Sequence, residues 1–423
     1  MTSPCPPDRV PSRPWPAPVR ALAHRNFRFY FFGQGVSVLG SWVQQVALSW
    51  LIYRLTGSVA LLGVTTFAAL LPILFIGPLA GAWIDRRDKR RLLIIVQGLL
   101  ALQAGALALL TALDAIGPRL ILAMSVLLGV LNAFDTPLRQ SQIGGFVDRR
   151  EDLPNALALN AMLFNSGRFI GPPLAGLLLG LTSEAVCFAI NALSFAALAL
   201  GVARIRVAET PRATGSIGEV FREGLRYVWT EYPPRMQILI LAVVNITASS
   251  YAVLLPVFAK DVFGGDARML GWLWGAAGAG AFAGTIFLAT RKRLKSLVRV
   301  VVGGAGLSAL ALLVFAYNRY LVLALVAMAC VGFGISVCNV GVNMLLQSAA
   351  PDHLRGRVVS FFSSTRFGFD AIGGLLAGLL AARIGVQGAM LVEGVLLGTF
   401  FLWSLSLVPR LREIVAASAR NAS

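Results

Sequence analysis

Long apolar runs, separated by short polar breaks, repeat along the whole chain and dictate what it can become. A helix rises about 1.5 Å per residue and the hydrocarbon of a bilayer is roughly 30 Å thick, so some twenty apolar residues make one crossing. Runs of that length fall at 29–53, 58–83, 92–113, 120–143, 155–181, 185–203, 236–258, 269–289, 297–317, 320–349, 358–382 and 387–408. Twelve crossings are expected, each satisfying its backbone polar groups within its own helix. With 57% hydrophobic residues, 13% charged residues and a mean hydropathy of +0.76, the chain lacks the polar surface of a soluble globule.

Charge follows the breaks. If both termini are cytoplasmic, the inside segments hold most of the arginines, including Arg25, Arg28, Arg86, Arg87, Arg90 and Arg91, while the opposite side holds only Arg54, Arg119, Lys260, Arg268, Arg319 and Arg383. The reading is a multi-pass protein of a bacterial inner membrane. The net charge of +18 is thereby a matter of topology, and no nucleic-acid partner is expected. Four cysteines form no CxxC pair and the two histidines lie outside the apolar runs, so neither a metal site nor any other cofactor is expected. No Walker A loop offers ATP as a direct energy source.

The longest internal break separates six runs from six. It divides the chain into a disordered tail (1–27), a first six-helix bundle (28–205), a linker (206–235) with an amphipathic helix carrying Ile217, Val220, Phe221, Leu225 and Val228, a second bundle (236–409) and a short tail (410–423). The halves repeat: Leu174-Ala-Gly-Leu-Leu178 in the fifth run recurs as Leu376-Ala-Gly-Leu-Leu380 in the eleventh, an offset of 378 − 176 = 202 residues. The fold class is an all-α membrane protein of two pseudo-symmetric six-helix bundles.

Three groups of residues stand out as candidates. In the turn between the second and third runs, Gly81 thins the helix end for a neighbour's approach, Asp85 offers an acceptor, and Arg86, Lys89, Arg90 and Arg91 hold the turn on the positive side. The fifth run carries Gly167, Arg168, Gly171, Pro172 and Gly176, small residues for close packing with prolines that fix a kink. Ionisable residues inside the runs cost about 2.5 to 3.5 kcal/mol each at the bilayer centre, so Asp135, Arg139, Arg366 and Asp370 must face a cavity or a partner. Arg366 and Asp370, at i and i+4, are expected to form a self-neutralising pair. Glu393 is expected to reach out to the membrane edge. Trp42, Asn132, Asn245, Tyr251, Asn339 and Asn343 are candidate cavity liners, with helix packing as their other reading.

The turn Gly81-x-x-x-Asp85-Arg86 with Lys89, Arg90 and Arg91 resembles the loop between helices 2 and 3 of the major facilitator superfamily, and the glycine–proline stretch resembles the signature of its antiporters. Phe134-Asp135-Thr-Pro137-Leu-Arg139-Gln140, Asn26-Phe27-Arg28, Gly40-Ser41-Trp42, Leu55-Thr56-Gly57-Ser58 and Leu354-Arg355-Gly356-Arg357 resemble the branch that contains the enterobactin exporter and macrolide efflux proteins, the transmembrane secretion effectors. The resemblance implies alternating access and proton-coupled export of a siderophore, drug or secondary metabolite, by a protein that works as a monomer. Asp135 and Asp370 are the candidate proton carriers. Asp88 departs from the superfamily, which often has glycine there, and the turn after the eighth run has no counterpart of Asp85. A proton-coupled importer of a small organic anion, or a nontransporting membrane sensor, remains the alternative; an enzyme is not expected.

Overall fold

The computed structural model describes residues 16–84, 86–205, 232–291, 294–349 and 355–421. Asp85, the amphipathic linker helix expected around 217–228, Lys292, Arg293 and Leu354 lie outside the described residues, as does most of the N-terminal tail. The first half consists of α1 (Arg25–Thr56), α2 (Val59–Ile84), α3 (Lys89–Ala112), α4 (Pro118–Gln142), α5 (Leu153–Leu181) and α6 (Glu184–Ala203). The second half holds α7 (Tyr232–Thr247), α8 (Tyr251–Val257), α9 (Ala267–Ala289), α10 (Leu294–Tyr317), α11 (Leu321–Ala349) and α12 (Arg355–Asn421).

Ten helical stretches among the described residues are long and apolar enough to cross a bilayer. One of them, Phe361–Pro409, holds 49 residues, about twice what one crossing needs. It folds back at Gly385, whose φ of 80° and ψ of 161° suit a residue without a Cβ. α5 is 29 residues long, but Asn160, Asn165 and Arg168 interrupt its apolar sequence and it is not among the ten. α7 and α8 are two pieces of one stretch, Pro234–Val262, whose end, Phe258–Val262, is π-helical. Every apolar run of the sequence thus has its helix. The surface that would meet lipid is apolar, with Leu102 and Leu193 each 70% exposed.

Three of the helix ends are fixed by local chemistry. Gly57, in the left-handed region at φ 60°, closes α1 by donating its N–H to the Tyr53 carbonyl at 2.9 Å. Asp88, the departure in the charged turn, caps α3: its carboxylate accepts from the Arg91 N–H at 3.0 Å. Asp266 caps α9 in the same way, accepting from the Arg268 N–H at 2.9 Å.

The halves meet where glycines let backbones touch. A Cβ on Gly176 of α5 would lie 3.0 Å from the Gly271 Cα of α9, and one on Gly378 of α12 would lie 2.9 Å from the Gly63 Cα of α2. Gly176 and Gly378 are the residues related by the 202-residue offset, so the repeat in sequence is a repeat of function in the fold: each half supplies one glycine helix to the other.

The tail expected to be disordered through residue 27 is ordered from Ala17, where a 3₁₀ helix, Ala17–Ala23, precedes α1. Its polar groups find partners on the α4–α5 connection. Arg20 pairs with Asp152 at 2.8 Å, and the His24 ring lies 3.0 Å from Asp148 and 2.9 Å from Asp152. The composition reading missed these because their partners lie more than a hundred residues away.

Gly271→Leu is expected to force α5 and α9 apart, at a cost of about 1 to 3 kcal/mol, and to lower the melting temperature of the purified protein. Gly98→Ala, at a helical position where a Cβ meets nothing within 4 Å, is expected to leave it unchanged or raise it.

Candidate functional site

A cavity of about 240 Å³ opens between the halves. α1, α2, α4 and α6 supply most of its wall, with Gln44, Gln45, Thr65, Asn132 and Asn191 as polar groups, and α8 and α9 contribute Ala252, Val253 and Trp274. No ionisable side chain is among the described residues that line it. The wall is ordered by an amide network: Asn191 donates to the Gln44 carbonyl at 2.7 Å, and Gln44 donates to Gln103 at 3.3 Å. Trp274 is 7% exposed, and its indole N–H has no hydrogen-bond partner.

Of the six expected liners, Asn132 lines the cavity. Trp42 packs edge-on against Trp274 with ring centroids 5.9 Å apart. Asn245 and Asn339 bond each other at 3.0 Å inside the second half, and Asn343 accepts from Gln347 at 3.0 Å. Tyr251 is buried in the apolar core. The amides Gln44, Gln45 and Asn191 were missed, because in a helix apolar on every side the sequence does not reveal which face is inward.

The end of the bundle that carries Arg25 and the α2–α3 turn is here the near end, and the opposite one the far end. Toward the near end, Asp135 and Arg139 form an i, i+4 ion pair at 2.7 Å, both buried. Gln97 of α3 donates to Asp135 at 2.5 Å, and Arg139 donates to the Ser37 hydroxyl of α1 at 3.0 Å. This one cluster therefore locks three helices of the first half. The α2–α3 turn is tied to the same half: Arg90 donates to the Val202 and Ala203 carbonyls at 3.2 and 2.7 Å, capping α6, and Gln142 donates to the Lys89 carbonyl at 2.6 Å. Arg87 lies over the Trp83 ring. Gly81 differs from expectation. A Cβ there would meet nothing within 4 Å, so its missing side chain admits no neighbour in this conformation.

The glycine–proline stretch of α5 faces two ways. A Cβ on Gly171 would lie 2.5 Å from the Trp42 Cβ of α1, and Gly167 sits against Val38 of α1; Gly176, with the Pro172 carbonyl, meets Gly271 of the other half. α5 continues as one helix through Pro172 and Pro173, so the prolines do not break it. The Arg168 carbonyl packs against Gly278 of α9.

The far end is closed across the halves. The Tyr53 hydroxyl of α1 donates to the Asp261 carboxylate in the π-helical turn after α8, and the Lys260 ammonium lies 5.4 Å from the Tyr53 ring. Arg268 donates to the Gly180 carbonyl at 3.0 Å. Arg54 remains within the first half, paired with Glu184 at 2.7 Å.

The acids of the second half differ from expectation. Arg366 and Asp370 form no ion pair among the described residues; Arg366 Nε and one Asp370 oxygen have no hydrogen-bond partner, and the guanidinium sits over the Phe367 ring at 5.0 Å. An i, i+4 spacing brings the two charges near enough to act on each other without closing an ion pair. The Ser249 hydroxyl faces Asp370, and Arg168 is near enough for its charge to act on both residues. Glu393 does not reach the membrane edge. It is 5% exposed, with one carboxyl oxygen unpartnered.

Residues 16–422 match the transmembrane secretion effector family. The chain belongs to that family. Among its relatives, the multidrug efflux pump Tap of Mycolicibacterium fortuitum is 30% identical over 407 residues, covering 90% of this chain and 94% of the relative. The staphyloferrin A transporter of Staphylococcus aureus is 25% identical over 371 residues, covering 87% and 92%. In fold, the chain is similar to a bacterial homologue of the lysosomal transporter Spinster in an inward-facing, occupied conformation (TM-score 0.71, 12% identity, 96% of this chain and 98% of that one) and to the nucleoside transporter NupG (TM-score 0.69, 15% identity, 90% and 99%). This transmembrane secretion effector is a transporter of the major facilitator type and not an enzyme.

Arg139→Gln is expected to strand Asp135 without its cation, at about 3 to 5 kcal/mol, and the double variant with Asp135→Asn is expected to recover much of that loss. Melting curves of the four proteins in the cycle measure it.

Proposed function

We propose that this chain exports small, uncharged amphiphilic molecules from the bacterial cytoplasm in exchange for protons, as a monomer in the inner membrane with both termini inside. The far end then faces outward, and the closed Tyr53–Asp261 and Arg268–Gly180 contacts belong to an inward-facing state. The observation that carries the cargo class is the wall of the cavity: amides, hydroxyls, aliphatic groups and one unpartnered indole N–H, with no ionisable side chain. A drug or secondary metabolite with a hydrogen-bond acceptor fits it, in keeping with multidrug efflux by the relative Tap. An organic anion would want a cation there, and the importer reading loses support for that reason.

The acids lie outside the cavity wall, so proton and cargo occupy separate places and communicate through helix movement. Asp135 is engaged by Arg139 and serves as the structural anchor of the charge network, while Asp370, with a bare oxygen, takes the proton. The α2–α3 turn, with Gly81, Arg86, Lys89, Arg90 and Arg91, would meet the second half when the near end closes; the open space at Gly81 is what such a closure would fill.

Efflux of a dye or macrolide from cells is expected to stop when the proton gradient is collapsed, and Asp370→Asn is expected to abolish gradient-driven efflux while cargo exchange continues. Efflux indifferent to the gradient overturns the coupling. Trp274→Phe is expected to weaken cargo binding by about fivefold, the worth of one hydrogen bond of about 1 kcal/mol, without changing the protein's insertion.

A further inference from the structure

α7 and α8 are separated by a break at Ala248, Ser249 and Ser250, and two buried acids of the second half lie beside it. The Ser249 hydroxyl faces Asp370 in the first limb of α12, and the Ser250 hydroxyl faces Glu393 in the limb after Gly385. Glu393 is buried, and its Oε2 has no hydrogen-bond partner. The titratable and charged groups on the helices around it are Tyr232 and Arg235 at the start of α7, Tyr251 of α8, Cys330 and Cys338 of α11, Lys295, Arg299 and Tyr317 toward the ends of α10, and, on α12, Arg366, Asp370 and Arg383 with Arg355, Arg357, Arg410, Arg412, Glu413 and Arg420 toward its two ends. None of them forms an ion pair with Glu393 among the described residues.

A carboxylate sealed there would forfeit its hydration with no cation in return. The neutral acid has a hydrogen to donate, and the place for it exists. Ser250 gives its own hydrogen to the Thr247 carbonyl at 2.6 Å, which leaves its oxygen as an acceptor facing Glu393. The same crossing ends in the far-end latch: α8 begins at Tyr251, beside Ser250, and the turn after it brings Lys260 and Asp261 against Tyr53.

We propose that Glu393 is a proton-binding residue, and that its occupancy sets the break between α7 and α8 and, through α8, the latch on Tyr53. The inference rests on the proton-coupled export reading, with the far end outside. A proton from the exterior bonds to the Glu393 carboxylate, the neutral acid donates to Ser250, and the far end closes; when the proton leaves to water, the charged group draws solvent into the break and the latch opens. Closure on protonation is the sense that exchange of an inward proton for outward cargo requires.

The test needs no cargo. In the full-length chain with its four cysteines replaced by alanine, Ser49→Cys, on the cavity wall near Tyr53, is labelled in intact cells by a membrane-impermeant maleimide over mildly acidic to mildly alkaline pH. Labelling is expected to rise severalfold with pH, and Glu393→Gln, which mimics the neutral acid, is expected to hold it low at every pH. Ser250→Ala, which removes the acceptor, is expected to move the midpoint about 0.7 pH unit lower, the equivalent of one ordinary hydrogen bond. Parental labelling independent of pH, or Glu393→Gln labelled as the parent is, overturns the inference. Should Glu393→Gln fail to reach the membrane, an unmoved midpoint in Ser250→Ala overturns it. Labelling flattened by Asp370→Asn and not by Glu393→Gln removes Glu393 and leaves proton-driven export standing. Labelling that follows Glu393 alongside efflux indifferent to the gradient removes the coupling and keeps Glu393 as a proton site.

Discussion

Backbone-to-backbone contact at two glycine crossings is what the rest of the structure depends on. Gly176 meets Gly271 and Gly378 meets Gly63, and in both cases a single methyl group would fall within about 3 Å of the opposing Cα. Lipid offers no hydrophobic drive for helices to associate, so close packing of small residues has to supply the attraction. Placed at equivalent positions of the two halves, the crossings bring backbone against backbone with no side chain between the paired glycines. Bodies that meet at such crossings can tilt without unlocking interdigitated residues.

The buried charged groups divide by half. In the first half, Asp135, Arg139, Gln97 and Ser37 satisfy one another, which lets charge sit inside the membrane at a cost its partners offset. In the second half, Arg366, Asp370 and Glu393 each keep an unpartnered atom, gathered around the broken seventh crossing. A satisfied network rigidifies, whereas an unsatisfied one has something to gain from a change of state. The first half is thus built as a stable frame and the second as the part that responds.

Much of this could be read before any coordinates. Among the described residues, apolar run lengths located the long helices, though neither the 3₁₀ helix at Ala17–Ala23 nor the break in the seventh run, and the 202-residue offset identified the pair of glycines equivalent in the contact between halves. The i, i+4 spacing of Arg366 and Asp370 suggested an ion pair that does not close, while the Asp135–Arg139 pair at the same spacing was not foreseen, because a helix fixes which side chains can meet and the surroundings decide whether they do. Glu393 was expected at the membrane edge because the twelfth run was read as peripheral, yet its carboxyl is buried, and an apolar run does not show which of its faces is covered. The amides of the cavity were invisible because helices apolar all round give no periodic signal of their inward face. The glycine–proline stretch announced close packing without naming its partners, α1 on one side and α9 on the other.

The wall of the cavity belongs mostly to one half, and that asymmetry has a consequence for how such a protein can diversify. Under the proposed function, a bound molecule would stay seated on α1, α2, α4 and α6 as the bundles tilt, carried by the first half while the second swings over it like a shutter. On that same proposal, substitutions at Gln44, Asn132 or Asn191 would alter what is carried without touching the acids proposed to take the proton, and the two properties would be free to evolve separately.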